Sequence, residues 1–201
     1  PDKHPFYGII LQEYDPQSKS LTGKPDLIFK GSSLGLTEGP HLYQRNGFYY
    51  LLTAEGGTEY EHAVSLARSH DLLGPYELHP QNPILTSSGK PELSLQKAGH
   101  ASLVETQGGE WYMPHLCGRP LHGTKRCNLG RETAIQKVEW RADDWLYLAG
   151  GGNEPKTQVP APQLEPYPFP KLPERLPFDS PHYATPRGPS SSVVRGSNGL
   201  T

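Results

Sequence analysis

The sequence predicts an all-β fold, and three observations support this class. The 201 residues include 22 glycines and 22 prolines, a turn-rich composition that does not suit long helices. Short runs rich in aromatic and β-branched residues recur between polar turns. No segment repeats its apolar residues at the i, i+3, i+4, i+7 spacing of an amphipathic helix. The chain is therefore expected to consist of short strands joined by turns.

The first half of the chain contains one strong hairpin signal among several strand-like runs. Residues 41–52, HLYQRNGFYYLL, place Asn46 and Gly47 between two apolar runs. An Asn-Gly pair in this setting is the strongest short-range sign of a β-hairpin. Other strand-like runs in this half of the chain lie at residues 6–14, 27–30 and 62–68.

Two further hairpins are predicted in the second half. One joins residues 100–105 to residues 110–115 through a Gly-Gly turn, and the other joins residues 133–140 to residues 145–149 through an Asp-Asp turn. In all three hairpins, aromatic residues follow a polar turn. Repeated small antiparallel units favour the blades of a β-propeller. A generic β-sandwich also uses hairpins, and the pattern alone leaves it open as the alternative.

The overall charge and hydropathy exclude some classes of partner. The net charge is −2 and the mean hydropathy is −0.65, which favours neither nucleic acid nor an anionic membrane as a partner. No apolar run approaches the roughly 20 residues of a membrane span. The first 15 residues lack the pattern of a signal peptide, and two cysteines do not make a disulfide scaffold. A cytoplasmic location is therefore favoured, although a segment upstream of Pro1 could carry a signal.

Several common site motifs are absent. The sequence has no His-Glu-x-x-His and no phosphate-binding Gly-x-x-x-x-Gly-Lys loop. The glycines at 150–152 lack a following lysine and are expected to form a turn. Cys117 and Cys127 flank His122, with His115 nearby, but their spacing does not match a zinc site. Two thiols packed beneath a loop are the better interpretation.

Glu38 is the leading candidate for a catalytic residue. It lies in residues 35–43, GLTEGPHLY, where a Gly-Pro pair restricts the backbone and Leu34 and Leu36 make the surroundings apolar. A carboxylic acid in a pocket of low dielectric constant has a raised pKa and holds its proton near neutral pH, as a general acid requires. A capping or surface glutamate is the alternative on these residues alone.

Six segments spread over residues 6–153 follow one another in an informative order. They are GIILQEYD, LGLTEGPHLY, NGFYYLLTAEGGTEYEHAVSLARS, GHASLVET, HLCGRP and CNLGRETAIQKVEW. Together they resemble the bacterial β-xylosidases of glycoside hydrolase family 43. Any one of these segments would be a weak signal, whereas their combination in this order is highly specific.

The resemblance implies a fold, a reaction and roles for individual residues. The fold is part of a five-bladed β-propeller with the active site at one end of its axis. The reaction is hydrolysis, with inversion, of a terminal β-1,4-xylosyl or α-L-arabinofuranosyl linkage of xylo-oligosaccharides. Glu38 matches the general acid and Arg131 a sugar-binding arginine. Thr58 matches a contact in the substrate pocket, and His100 a pocket residue that helps to hold one divalent cation such as Ca²⁺.

No organic cofactor is implied by the resemblance. Aromatic residues such as Tyr60 and Trp111 could stack on sugar rings, and packing in the core is the expected role of Trp111. The family's other two catalytic acids are aspartates upstream of the Glu-Gly-Pro motif, one of them the general base. The acids upstream of Glu38 do not occur in the matching context, and Asp15 reads as a turn residue.

The domain prediction follows from these matches. Residues 1–153 are expected to be the C-terminal portion of the propeller, without its first blades. Residues 154–189 hold 11 of the 22 prolines and predict an extended connector. Residues 154–201 are therefore expected to be a Pro-rich linker followed by the truncated start of a β-sandwich domain, whose entry FDSPHYATPRGP resembles.

The expected partner is a xylo-oligosaccharide substrate, and the uncovered edges of a partial propeller also allow a homo-oligomer. An isolated chain without the base is expected to be a weakly active or inactive fragment. Two alternatives remain: a carbohydrate-binding propeller remnant that does not catalyse, and a half-propeller completed by a separate chain.

Overall fold

The computed structural model describes residues 8–169, which form twelve β-strands and no helix. Within those residues no helix is long and apolar enough to cross a membrane. The strands of the first half are β1 Ile9–Asp15, β2 Ser20–Phe29, β3 Glu38–Arg45, β4 Phe48–Glu55, β5 Ala63–Ser69, β6 Glu77–Leu78 and β7 Leu85–Thr86. Those of the second half are β8 Gln96–Ala101, β9 Val104–Glu105, β10 Trp111–Gly118, β11 Glu132–Trp140 and β12 Leu146–Leu148.

The strands pair into three antiparallel sheets. β1 and β2 form a hairpin, and β3 to β6 follow one another across a second sheet in which β7 also pairs with β5. The third sheet has the order β12-β11-β10-β8, with β9 also pairing with β10. Two consecutive up-and-down sheets of this kind are propeller blades. The all-β class and the partial propeller predicted from the sequence are confirmed.

The β3–β4 hairpin has the predicted two-residue turn. Asn46 has a φ of 48° and Gly47 a φ of 78°, and Arg45 pairs with Phe48 across the turn. Positive φ at both central residues defines a type I′ turn, which matches the right-handed twist of its strands. The turn explains why this hairpin could be located from the sequence.

β4 and β5 form the centre of the core because both of their faces are covered. Leu52 pairs with Leu66, and both side chains belong to the large apolar cluster that joins the two blades. Leu51 pairs with Ala67, and these side chains face the opposite way, into a second cluster with β1 and β2. The alternation of side chains along a strand sends successive residues to the two faces. The hairpin β1–β2 thereby packs against the first blade.

Arg68 stands at the junction of the two blades. Its guanidinium carbon lies 4.4 Å from the ring centre of Phe48 and 3.9 Å from that of Trp145. Its Nη1 donates a hydrogen bond of 2.7 Å to the carbonyl oxygen of Asp143. Its Nε lies 2.7 Å from a carboxylate oxygen of Glu77. One side chain thus ties β5 to the turn between β11 and β12.

The structure differs from the sequence prediction in two strands. β2 begins at Ser20, well before the predicted run at residues 27–30. The predicted run at residues 100–105 is divided into β8 and β9. The amide of Leu103, between them, donates to the Tyr43 hydroxyl and not to β10, with which both strands pair.

The chain separates into two compact units, Pro1–Leu164 and Glu165–Thr201. Part of the Pro-rich segment belongs to the first unit, where Gln136 exchanges two hydrogen bonds of 3.0 Å with the backbone of Lys156. In the second unit, the amide of Phe169 donates to the carbonyl of Tyr167. The predicted boundary at residue 153 stays a prediction, and the predicted entry to a sandwich domain lies outside the described residues.

Candidate functional site

Glu38 is the first residue of β3, the strand at one end of its blade's sheet. Its Cα pairs with that of Ala54, and the side chain is half-buried. Among residues 8–169 its carboxylate has neither a hydrogen-bond partner nor an ion-pair partner. Leu34 exposes 39% of its surface and adds little apolar cover, whereas Leu36 is half-buried. Glu38 is therefore a carboxylate that can reach a ligand.

His100 lies against the backbone that carries Glu38. A Cβ placed on Gly39 would be 2.6 Å from Nε2 of His100, so any larger residue at position 39 would displace the imidazole. Gly39 also has a φ of 55°, a conformation that favours glycine. This contact brings together two motifs, Glu-Gly-Pro and Gly-His-Ala-Ser, that lie on adjacent blades. The glycine of the first motif is thus required by the histidine of the second.

His62 belongs to the same neighbourhood, although the sequence analysis assigned it no role. It is 1% exposed, and a Cβ on Gly99 would lie 2.4 Å from its ring. Nδ1 lies 3.1 Å from the carbonyl oxygen of Lys97. Because a carbonyl only accepts, Nδ1 carries the proton of the neutral ring and Nε2 presents a lone pair. Among the described residues this buried Nε2 has no partner.

The pKa of His62 shows which charged groups surround it. Burial is the main cause of its lowered pKa, and the hydrogen bond to Lys97 acts in the opposite direction. The charges of His100 and Arg131 also lower this pKa, and the charge of Glu38 raises it. The charges of three predicted site residues therefore act on His62. In the sequence it was only the first residue of the strand-like run at residues 62–68.

Arg131 directly precedes β11 and is exposed. No ion pair of Arg131 is found in the part of the chain that the structure describes. Its neighbour Glu132 is engaged elsewhere, 2.6 Å from the guanidinium of Arg119, whose hydrogen bond lowers the pKa of that carboxyl. The Arg131 guanidinium is thus left available to a ligand.

Thr58 lies in the loop between β4 and β5 and is exposed. That loop is attached to the turn before Glu38, because the amide of Gly56 donates 2.9 Å to the carbonyl of Gly35. No hydrogen bond of the Thr58 side chain is found within residues 8–169. Thr58 is therefore connected to the Glu38 region through its backbone.

Tyr60 borders a cleft of about 220 Å³ that is also lined by Lys90, Pro91, Pro120 and Lys125. Its hydroxyl donates 2.9 Å to the carbonyl oxygen of Lys125. Tyr60 is half-buried and lines this cleft. Stacking of Tyr60 on a sugar therefore stays a prediction.

Trp111 packs against the core that joins the two blades, as expected. Its ring meets that of Trp140 edge-on, with centroids 5.6 Å apart. The two thiols are unpaired: Cys117 is buried and Cys127 is half-buried. Across residues 8–169 no three His, Cys, Asp or Glu side chains converge as metal ligands.

Comparisons with known proteins agree on one family. The sequence profile of Glycosyl hydrolases family 43 matches residues 1–146. The chain is 53% identical over 171 residues to a Beta-xylosidase of Bacillus subtilis (strain 168), covering 81% of this chain and 32% of that protein. It is 58% identical over 146 residues to Xylosidase/arabinosidase 43B of Humicola insolens, covering 73% of this chain and 27% of that protein.

A solved structure shows the same fold. The crystal structure of xylan beta-1,4-xylosidase from Bacillus halodurans C-125 matches with a TM-score of 0.81 and 61% identity. The match covers 87% of this chain and 33% of that one. The chain therefore spans about a third of the length of these relatives. This similarity supports the partial propeller seen in this chain.

Proposed function

This chain belongs to family 43 of the glycosyl hydrolases, and on that basis we propose that it supplies the proton donor and part of the sugar pocket of a β-xylosidase. One observation carries the proposal: Glu38 is half-buried and has no partner among residues 8–169, and the next residue, Gly39, lies directly against His100. An acid, an imidazole and an available guanidinium at the meeting of two blades are suited to binding and cleaving a sugar.

The proposed substrate is a xylo-oligosaccharide with a terminal β-1,4-xylosyl unit. An α-L-arabinofuranosyl unit is a second candidate, because the relative from Humicola insolens is named for both activities. Arg131 would donate paired hydrogen bonds to sugar hydroxyls. Thr58 would contact the sugar from the loop fastened to the Glu38 turn.

The proposed reaction proceeds with inversion at the anomeric carbon. Glu38 gives its proton to the glycosidic oxygen as the bond from that oxygen to the anomeric carbon breaks. Water attacks the opposite face of the sugar and loses a proton to a carboxylate base. In inverting enzymes the two carboxyl groups are roughly 6.5–9.5 Å apart, which leaves room for this water.

The base is proposed to come from outside the described residues. Glu55, a buried acid at the end of β4, is fully enclosed, and each of its oxygens accepts two hydrogen bonds. It can neither reach a substrate water nor take its proton. The chain alone is therefore proposed to be weakly active or inactive, and the base to belong to the part of the relatives that the chain does not span.

The divalent cation predicted near His100 stays a prediction. His100 and the unpartnered Nε2 of His62 are two nitrogen donors among the described residues, whereas Ca²⁺ prefers six to eight oxygen ligands. These two imidazoles alone do not fit a Ca²⁺ site, and the proposed reaction does not depend on the cation.

Hydrolysis of aryl glycosides tests the proposed function. We expect a chimera, in which this chain replaces the matching third of the Bacillus subtilis β-xylosidase, to release nitrophenol from an aryl β-D-xyloside. Glu38→Gln removes the proton donor and should lower this rate by about 10²- to 10⁴-fold, the usual contribution of general acid catalysis. The 201-residue chain alone should show little or no turnover.

The results distinguish a catalytic part of a β-xylosidase from a carbohydrate-binding remnant. A folded chimera without activity, or one with full activity after Glu38→Gln, would contradict the proposal. A carbohydrate-binding remnant is the second candidate, because the exposed Arg131 can bind a sugar without a base to activate water. Xylobiose binding by the chain together with an inactive chimera would favour that candidate.

A further inference from the structure

Glu55 is a buried acid for which the proposed reaction has no use. It is the last residue of β4 and is 0% exposed. Its Oε1 accepts from the amide of Ser32 at 2.7 Å and from the hydroxyl of Thr37 at 2.6 Å. Its Oε2 accepts from the hydroxyls of Ser32 and Ser65, each at 2.5 Å. Two oxygens thus receive four hydrogen bonds.

This arrangement suits an acceptor with two equivalent oxygens. Burying a carboxyl group is costly unless donors replace the water it loses, and here every donor points at it. A glutamine would fit the same space, but its amide nitrogen would face two hydroxyls that now donate. Those hydroxyls would have to turn and accept instead. The position therefore selects glutamate over its closest isostere.

Three of the four donors belong to the segment at residues 31–37, which directly precedes Glu38. This segment has no spare space at its start: a Cβ on Gly31 would lie 1.9 Å from the Thr37 hydroxyl and 2.8 Å from Oε1 of Glu55. The carbonyl of Gly35 accepts a hydrogen bond from Gly56, the residue after Glu55. Hydrogen bonds therefore hold Ser32 and Thr37 on Glu55, and Gly35 on Gly56, the residue after β4.

The hydrogen bonds between residues 31–37 and Glu55 also influence where β3 begins, at Glu38. Glu38 pairs with Ala54, the residue just before Glu55, and the register then shifts before His41. The first ladder pair of β3 is thus set apart from the regular ladder that begins at His41. The hydrogen bond from Thr37 to Glu55 lies next to that isolated pair.

We propose that Glu55 is a positioning residue that fixes the proton donor Glu38 by fastening residues 31–37 to the end of β4. The inference rests on the proposed function, since it assigns Glu55 a role through Glu38. Glu55, the glutamate of the Ala-Glu-Gly-Gly-Thr motif, would thus support catalysis without touching the substrate.

Two aryl xylosides that differ in leaving group test this role in the chimera. A poor leaving group needs the proton of Glu38, whereas 2,4-dinitrophenolate departs without it. Displacing a catalytic group by about 1 Å can cost on the order of 10²-fold in rate. We expect Glu55→Gln and Thr37→Val to lower kcat for phenyl xyloside by 10-fold or more and to change kcat for the dinitrophenyl xyloside much less.

Ser65→Ala is the matched control. Ser65 donates to the same carboxylate over a similar distance, but it lies on β5 and does not belong to the segment before Glu38. Its loss should lower thermal stability about as much as Thr37→Val does, while changing kcat for both xylosides by the same factor. The proposal would be overturned if the ratio of kcat for phenyl xyloside to kcat for dinitrophenyl xyloside were the same in the parent, Glu55→Gln and Thr37→Val.

A measurement without catalysis separates this inference from the proposed function. Hydrogen exchange of the 201-residue chain should show that Glu55→Leu, which removes the acceptor of the Ser32 amide, deprotects that amide and its neighbours up to Glu38, while β5 stays protected. Unchanged exchange in this segment would overturn the fastening. Faster exchange there, together with a parent chimera that hydrolyses neither xyloside, would refute the proposed function and leave the fastening intact.

Discussion

At the scale of single residues, glycines decide where the site side chains can lie. Gly39 leaves room for His100, and Gly99 leaves room for His62. Gly99 does not have a positive φ, so its backbone conformation does not call for glycine. The contact with His62 does, because it leaves no room for a side chain. The glycines of the Glu-Gly-Pro and Gly-His-Ala-Ser motifs therefore have a packing role that is separate from the chemistry of their neighbours.

Gly99→Ala should destabilise the protein because its Cβ would lie 2.4 Å from the His62 ring. Overpacking of this kind costs about 1–3 kcal/mol in the free energy of unfolding. Gly108→Ala is the control, since the nearest atom to its Cβ is 3.8 Å away. That change should be neutral or stabilising by up to about 1 kcal/mol. Urea denaturation of the two variants measures the difference, and equal stabilities would contradict the steric argument.

His79 makes stability depend on pH. It is 3% exposed, with its ring edge-on to Trp145 and Tyr147, and its Nδ1 accepts from the amide of Gln81 at 3.0 Å. Burial lowers the pKa of His79 from 6.5 to about 4, although the charge of Asp143 opposes this. A protonated Nδ1 would lose the hydrogen bond from Gln81. The folded protein therefore favours the neutral ring.

The unfolded chain binds more protons than the folded chain between the two pKa values. The stability that His79 contributes is thus complete above pH 6.5 and falls as the pH drops towards 4. The difference corresponds to at most about 3 kcal/mol. His79→Asn keeps an acceptor for Gln81 but does not titrate, so its stability should decline less over this range. Parallel declines in thermal melts of the two proteins from pH 7 to pH 4 would count against this assignment.

At the scale of elements, the strands of one blade are joined to the next through side chains at their ends. Arg68 on β5 is stacked between Phe48 and Trp145 and donates to Asp143. Asn46, in the β3–β4 turn, donates 2.8 Å to Asp144. The turn between β11 and β12 is thus held by the first blade.

Arg68→Met should weaken this junction by about 1–3 kcal/mol, because the stacked guanidinium and its hydrogen bonds are lost while the aliphatic stem is kept. Its side chain is 14% exposed. Arg141→Met is the control: its guanidinium also covers a ring, that of Tyr147 at 4.1 Å, but the side chain is 42% exposed. A loss below about 1 kcal/mol is expected there. Chemical denaturation compares them, and a larger effect at Arg141 would be inconsistent with the junction.

At the scale of the whole molecule, the chain is proposed to provide part of a catalytic centre. Glu38 and His100 come from two consecutive blades, and Arg131 from the second of them. A propeller active site is formed where several blades meet, and this chain spans about a third of its relatives. The activity of the chimera relative to that of the chain alone therefore measures what the remaining blades contribute.

The sequence alone determined the all-β class, the Asn46-Gly47 hairpin and the family. Turn dihedrals and the two-residue alternation of strands are local properties, and an ordered set of motifs is specific without any coordinates. The apolar enclosure of Glu38 that was expected from Leu34 and Leu36 was found only in part, because Leu34 exposes 39% of its surface.

Only the tertiary structure decided the surroundings of these motifs. His62 meets Gly99 across 37 positions of sequence, and Glu55 gathers donors from Ser32, Thr37 and Ser65. Neither arrangement has a local signature, because each depends on how separate strands and loops pack. The same reason explains the division of β8 from β9. The amide of Leu103 donates to the hydroxyl of Tyr43 on the other blade and not to a neighbouring strand. Local backbone preferences are encoded within a few residues, whereas buried polar partners are chosen by the packed fold.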